Sequence, residues 1–409
     1  MGEGGFPDTS EGAPHGTDQR PARGGGVALA LAAAAAPALA GTTGGSGNGH
    51  APRTITALDG PRGVDALGGG RTLVTETGGD FSLVVERRGK PARVIPLGNL
   101  ATDFPPAIAL GRHGTVFLLT GAAGPPPEEA AGLLRSSAEE PDDSGEPGEP
   151  AAGATLFKWR PGWSAPRPVA DIAAYQATDP DPDDQEDFPE DSNPYGLAAL
   201  RDGSVLVADA AGNDLLRVWR DGTIRTVARL KPRLVEVPEG LPDIPPEEGG
   251  PLPPAGTPIL SEAVATSVAV GPDGYWYVGE LRGFPATPGT SQVWRIRPGS
   301  VDATCDPEAP HQGACRRYAD GRTSIVDLAA DRYSVLALEL SKASWLAFEL
   351  GLAGAEVGGL FRLWRHRGHT HARELAADQL VLPGGVDAVG GKVYVTGPLF
   401  GPGALLRVR

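Results

Sequence analysis

The sequence predicts an all-β chain folded as a six-bladed β-propeller of four-stranded antiparallel blades. Three observations carry that expectation: a short pattern that recurs six times, a third-strand motif that repeats almost literally, and two chain ends that complete one another. Each copy is a series of short β-prone runs closed by glycine-containing turns, which reads as a meander. Recurrence at roughly 40 to 50 residues is the mark of a propeller.

Residues 1–40 read as an export signal. Arg20 and Arg23 precede an apolar run from Val27 to Ala36, and Ala38-Leu39-Ala40 supplies the small residues of a cleavage site. That run is shorter than the roughly 20 residues of a membrane span, and no later stretch approaches such a length. The expected product is secreted and soluble, with 41–52 as a flexible linker and 53–409 as the propeller.

Arg53 to Leu58 alternates like an outer strand. The first copy follows, Pro61-Arg62-Gly63-Val64 leading to Gly70 and Thr72 to Glu76. In the second, Pro105-Pro106-Ala107-Ile108 leads to Gly114 and Val116-Phe117-Leu118. The third is the clearest, Pro194 to Gly203, then Ser204 to Asp209, Asn213 to Gly222 and Thr223 to Ala228. The fourth runs Thr266 to Val270, Asp273-Gly274 and Trp276 to Glu280. The fifth, Asp327-Leu328-Ala329 and Val335 to Glu339, has its turn degraded to Asp331-Arg332-Tyr333. The sixth, Gly385 to Val389 and Val393 to Thr396, ends after its third strand. Third strands place a base after two apolar residues in Leu156-Phe157-Lys158, Leu215-Leu216-Arg217, Val293-Trp294-Arg295, Leu360-Phe361-Arg362 and Leu405-Leu406-Arg407. The sixth copy lacks a fourth strand and the segment at Arg53 lacks a sheet, so the N-terminal strand is expected to close the last blade and leave no open edge.

The insertions fall unevenly. Turns 1-2 and 3-4 of the blades are mostly tight, whereas the long loops 121–152, 171–193, 231–262 and 339–358 all belong to 2-3 or blade-to-blade connections. One side of the disc is therefore elaborated and the other trimmed, with Pro298 to Ala314 the exception. Loops gathered on a rigid scaffold are where binding usually resides, which places the expected working surface on the elaborated side. Two of these loops are acidic. Residues 121–152 read as a solubilising low-complexity insert. In 171–193, Asp179, Asp181, Asp183 and Asp184 offer oxygen ligands for Ca²⁺, without the glycine and spacing of an EF-hand; a solvated loop is the favoured reading.

Second strands end in Glu76, Asp209, Glu280 and Glu339. A carboxylate at one place in four blades can ring a channel mouth and hold Ca²⁺ or a polyhydroxy ligand. The plainer and favoured account is that each accepts hydrogen bonds from its own 2-3 loop. Asp191, Asn193 and Tyr195 enter the third copy beside Asp209 and make the best local cluster. His366, His369 and His371 straddle the Gly368 turn on the trimmed side and are expected to be exposed. No GxSxG, HExxH, phosphate loop or partnered cysteine nucleophile occurs, so no catalytic residue is assigned.

The net charge is −15, and the leader to Ala40 holds four acids and two bases, leaving about −13 for the remainder. Nucleic acid and anionic membrane both require a basic surface and are not expected partners; a small molecule or an extracellular protein is. Cys305 and Cys315 are the chain's two cysteines, and in an oxidising compartment they are expected to form a disulfide.

Asp191 to Leu197, Val207 to Ala210 and Asn213 to Val218 resemble the ScyD/ScyE proteins, named for the gene cluster of the cyanobacterial sunscreen scytonemin. Thr266 to Gly274, Val278 to Leu281, Gly283-Phe284-Pro285 and Ile325 to Ala329 extend the resemblance, which spans roughly Arg53 to Arg409. Each repeat also resembles an NHL-type, TolB-like blade, and the resemblance implies an exported six-bladed propeller with no firmly attached activity. Two functional readings stand. The preferred one is a non-catalytic module that binds a ligand or protein on its elaborated acidic face. The alternative is a Ca²⁺-dependent hydrolase resembling the gluconolactonase-type propellers, although the Asn-Gly entry of those enzymes is replaced here by Tyr195-Gly196.

Overall fold

The computed structural model describes residues 51–121, 153–242 and 251–408. The expected export signal, most of the linker, nearly all of the 121–152 loop and part of the 231–262 loop lie outside the described residues.

Strand β1 (Arg53–Asp59) comes first. Blade 1 holds β2 (Val64–Gly68), β3 (Arg71–Thr75), β4 (Asp80–Arg87) and β5 (Lys90–Asn99), and blade 2 holds β6 (Ala107–Leu110), β7 (Val116–Leu119), β8 (Thr155–Trp159) and β9 (Arg167–Asp171). Helix α1 (Ile172–Gln176) leads to blade 3, with β10 (Pro194–Ala199), β11 (Val205–Asp209), β12 (Asp214–Val218) and β13 (Ile224–Leu230). A separate hairpin, β14 (Arg233–Glu236) with β15 (Pro258–Ser261), precedes blade 4, whose strands are β16 (Ala265–Val270), β17 (Trp276–Glu280), β18 (Ser291–Ile296) and, after the short β19 (Ala303–Cys305), β20 (Cys315–Arg322). Blade 5 contains β21 (Ile325–Ala330), β22 (Val335–Glu339), then helix α2 (Trp345–Glu349), β23 (Val357–His366) and β24 (His369–Val381). Blade 6 contains β25 (Gly385–Val389), β26 (Lys392–Gly397) and β27 (Pro402–Arg407).

The fold is a six-bladed β-propeller. β1 pairs antiparallel with β27, Arg53 opposite Arg407 and Asp59 opposite Pro402, with a bulge at Ile55. The last blade thus takes its outer strand from the N-terminal side, as the chain ends require. Blades touch face to face, so the second strands are covered on both sides and β11, β17 and β22 are buried at every position. Each seam is an apolar cluster drawn from two neighbouring blades, such as Leu206 and Leu215 against Trp276 and Trp294, or Phe117 and Leu156 against Val207 and Leu216. Burial of this kind is the main stabilising contribution.

The long connections carry structure of their own. Asp171 caps α1 by accepting the Ala174 N–H at 2.9 Å, and Ser344 caps α2 through the Ala347 N–H at 3.1 Å. The exceptional 3-4 loop of blade 4 sends β19 to the outer edge of blade 3, where it pairs parallel with β13. Cys305 at its end is bonded to Cys315, with Cα atoms 5.0 Å apart.

Candidate ligand-binding site

The four second-strand carboxylates are each engaged locally and form no common centre. Asp209 is fully buried: Oδ1 accepts the Asn193 N–H at 2.7 Å and the Gly212 N–H at 3.2 Å, while Oδ2 accepts Ser192 Oγ at 2.7 Å and Gln176 Nε2 at 3.3 Å. Glu280, also fully buried, is ion-paired with Arg282 and accepts from the Gln292 N–H at 3.0 Å and from Trp294 Nε1. Glu339 accepts the Thr323 N–H at 3.1 Å, and burial lifts its carboxyl to about 7. Glu76, partly exposed, accepts the Asp59 N–H at 2.8 Å. These bonds fix the loops that meet at the ends of the second strands.

The 171–193 loop is likewise spent on its own fold. Asp179 accepts from Tyr175 Oη at 2.9 Å and pairs with Arg229 at 2.5 Å, which together with Thr226 holds its carboxyl below the usual range despite partial burial. Asp181 accepts Asn213 Nδ2 at 3.0 Å and the Asp183 N–H at 2.9 Å; Asp184 accepts the Phe188 N–H at 3.0 Å. Asp191 is exposed, and Asn193 is partly buried. Among the described residues no three His, Cys, Asp or Glu side chains converge so as to hold a metal ion. His366, His369 and His371 are exposed on the blade 5 hairpin, His371 stacking on Trp364 with ring centroids 5.6 Å apart.

Tyr195 lies at the loop-side end of the central channel. It is 4% exposed, and the Arg62 guanidinium, equally buried, sits 3.8 Å from its ring centroid. Arg62 Nη1 donates to the Pro105 carbonyl at 3.0 Å and Nη2 to the Tyr195 carbonyl. One side chain from blade 1 thereby reaches the entries of blades 2 and 3. Phe104, Leu281, Trp345, Leu399 and Phe400, all from connections on this side, join Tyr195 in one apolar cluster over the channel end. These mostly short connections therefore act as a cap, to which the 339–358 loop contributes α2.

Below the cap the six innermost strands enclose a cavity of about 250 Å³. Its walls become exposed toward the tight 1-2 turns, Val270 reaching 38%, so the channel opens on the trimmed side. Three aspartates stand on the wall. Asp327 Oδ2 accepts the Val386 N–H at 2.7 Å, Asp387 Oδ2 the Ala66 N–H at 2.6 Å, and Asp65 Oδ2 the Leu110 N–H at 2.6 Å. Each bond crosses a seam, so blades 5, 6, 1 and 2 are stapled in succession. Burial raises all three carboxyls, Asp327 to about 7, and the proximity of Asp65 raises Asp387 further. Sequence reasoning passed over these residues and Arg62, although Gly63-Val64-Asp65 and Gly385-Val386-Asp387 repeat the same triplet at the same place in two copies.

No family model matches the chain, and no curated protein sequence matches it. Among solved structures it is similar to the PQQ-bound aldose sugar dehydrogenase from Streptomyces coelicolor, at 14% identity and a TM-score of 0.48 over 88% of this chain and 98% of that one. It is also similar to a glucose dehydrogenase, at 14% identity and a TM-score of 0.49 over 88% and 99% of the two chains. A gluconolactonase from Xanthomonas campestris matches at 10% identity and a TM-score of 0.45, over 88% and 96%. Likeness at this level says nothing about the chemistry of the present chain.

Proposed function

We propose that the chain is an exported, non-catalytic binding propeller of the ScyD/ScyE kind, and that its acidic, loop-bearing side contacts a partner protein. One observation carries the reading. Phe188, Leu234 and Leu260 are 60%, 61% and 52% exposed, and Leu234 lies directly opposite Leu260 on the β14–β15 hairpin. The loops that bear them are tied together by the Gln185 N–H to Glu262 Oε1 bond at 2.8 Å. An exposed leucine pair with an exposed phenylalanine on a loop bonded to the same segment suits a protein interface. The acids of the same two loops, Asp184, Glu186, Asp191 and Glu262, lie close enough for the other three to act on the Glu186 carboxyl, and they favour a partner whose contact surface is apolar with a basic rim. A disulfide supports an oxidising compartment, and no described helix is long and apolar enough to cross a membrane.

The Ca²⁺-dependent hydrolase reading has less support, because the donor set does not fit: Glu280 is committed to Arg282, and Asp209 already accepts four hydrogen bonds. Chemical cross-linking of the mature protein in its native envelope or medium fraction tests the proposal. Cross-links should map to 171–193 and 231–262 and disappear in the Leu234→Asp/Leu260→Asp variant. Cross-links confined to the tight-turn side, or chelator-sensitive hydrolysis of lactones by the pure protein, would overturn it.

A further inference from the structure

In three blades the third-strand base forms an ion pair with an acid of its own 1-2 turn, and blade 2 keeps the base without the acid. In blade 3 the third-strand base Arg217 pairs with Asp202 of the 1-2 turn; in blade 4 Arg295 pairs with Asp273 at 2.8 Å, and in blade 5 Arg362 pairs with Asp331 at 2.9 Å. In blade 6 Arg407 reaches Glu86 of blade 1 at 2.9 Å. The fifth such base is Lys158. It faces Phe117 in the ladder as Arg217 faces Leu206, so the two occupy one repeat position. Counting back along the turns, Arg112-His113-Gly114-Thr115 stands where blade 3 has Arg201-Asp202-Gly203-Ser204, and His113 replaces the acid. Lys158 is half-buried and has no acidic partner among the described residues.

More positive charge surrounds it. Lys158 lines a cleft of about 190 Å³ between blades 2 and 3 on the tight-turn side, together with Arg112, Arg160 and Arg220. None of these arginines is ion-paired among the described residues. Arg112 Nη1 donates to the Arg201 carbonyl at 3.0 Å and Arg160 Nε to Thr115 Oγ1 at 3.0 Å, bonds that position the guanidiniums without neutralising them. Among the described residues no carboxylate lines the cleft, and Phe117 and Trp219 are among its apolar walls. In a chain of net charge −15 such a concentration of unpaired cations calls for an anion from outside.

We infer that this cleft binds a small organic dianion, a phosphate monoester or dicarboxylate on an apolar body, whose charged oxygens take the place of the missing turn aspartate beside Lys158. Guanidiniums suit bidentate recognition of such oxygens, and the apolar walls would cover the rest of the ligand. The site lies on the side of the disc opposite the proposed protein contact and stands independently of it.

Calorimetric titration of the mature protein with phenyl phosphate, phthalate, inorganic phosphate and neutral benzyl alcohol tests the inference. At low salt the two aromatic dianions should bind with Kd below about 1 mM, inorganic phosphate more weakly, and benzyl alcohol not at all. Binding should weaken as salt rises. Lys158→Gln should lose at least about tenfold in affinity through the charge pair it removes. His113→Asp, which returns an acid to the cleft in a left-handed conformation that Asp tolerates, should do the same while leaving the circular dichroism unchanged. Arg295→Gln, the same repeat position in blade 4, should leave binding intact. Failure of both aromatic dianions to bind the unaltered protein, or equal binding by His113→Asp, would overturn the inference.

Discussion

Asp387 on the sixth blade accepts the backbone N–H of Ala66 on the first across 2.6 Å, at the wall of the channel and at the seam where the ring closes. The carboxyls of this inner ring are raised by burial, Asp327 to about 7 from an ordinary 3.8. A group raised on folding holds a proton that the unfolded chain releases. Its contribution is complete below about pH 4 and is lost as pH rises toward 7 and beyond. Asp202, Asp273 and Asp331 are lowered instead and lose their contribution on acidification. Urea denaturation from about pH 5 to about pH 8 should therefore show falling stability, by about 2 to 3 kcal/mol for each carboxyl raised to about 7. Asp387→Asn, which keeps an acceptor for Ala66 and cannot ionise, should flatten that slope. An unchanged slope in the variant would remove Asp387 from the account.

Arg62 and Tyr195 separate two kinds of loss at the capped end of the channel. Arg62→Met keeps the apolar stem but abandons the buried carbonyls of Pro105 and Tyr195 and the ring contact. We expect a cost of about 2 to 4 kcal/mol. Tyr195→Phe removes a buried hydroxyl that meets no hydrogen-bond partner among the described residues, so it should be neutral within about 0.5 kcal/mol or slightly stabilising. Denaturation of both variants decides the matter: a large loss in Tyr195→Phe would mean that the hydroxyl has a partner in solution.

The blades were legible because each is a local meander: alternation, turn glycines and the third-strand base all lie within one copy. Ring closure was legible too, since the incomplete sixth copy and the orphan strand at Arg53 need each other. What escaped was contact between copies. Arg62 meets Tyr195 across 133 positions and Asp387 meets Ala66 across 321, and no periodicity within a blade encodes such pairs. The rim acids recur at equivalent places in the copies, and equivalence alone does not separate a shared centre from four local bonds. Glu280 and Asp209 have partners close by in sequence, Arg282 and Gly212, whereas Glu76 and Glu339 bond to Asp59 and Thr323, 17 and 16 positions away. The parallel docking of β19 on blade 3 had no signal, because an alternating run of three residues looks like any loop.

That docking gives the disulfide a defined task. Cys305 and Cys315 are separated by 10 positions, and their bond holds β19 to the start of β20 while β19 lies along β13. Closing so short a loop contributes about 3 kcal/mol at most in the chain-entropy account. Cys305→Ser/Cys315→Ser should keep the propeller, lower its unfolding free energy by up to that amount, and raise hydrogen exchange at Ala303 to Cys305 above that at the rest of blade 4. Uniform exchange across the blade would show that β19 docks without the bond.

Glu280 supplies the sharpest discrimination between structure and chemistry at the rim. Its carboxylate and the Arg282 guanidinium are 0% and 1% exposed, and Arg282 also donates to the carbonyls of Ser261 and Glu262 at 3.1 Å each. Removing one charge leaves the other buried and uncompensated, so Glu280→Gln should cost about 3 to 5 kcal/mol. Glu76→Gln loses one charge-assisted bond at a partly exposed place and should cost under about 1.5 kcal/mol. A metal-holding rim would reverse the order of consequence, since both variants would then lower Ca²⁺ affinity while Glu280→Gln left the calcium-free protein nearly as stable as before. Denaturation midpoints of the two variants, each measured with and without Ca²⁺, distinguish these outcomes.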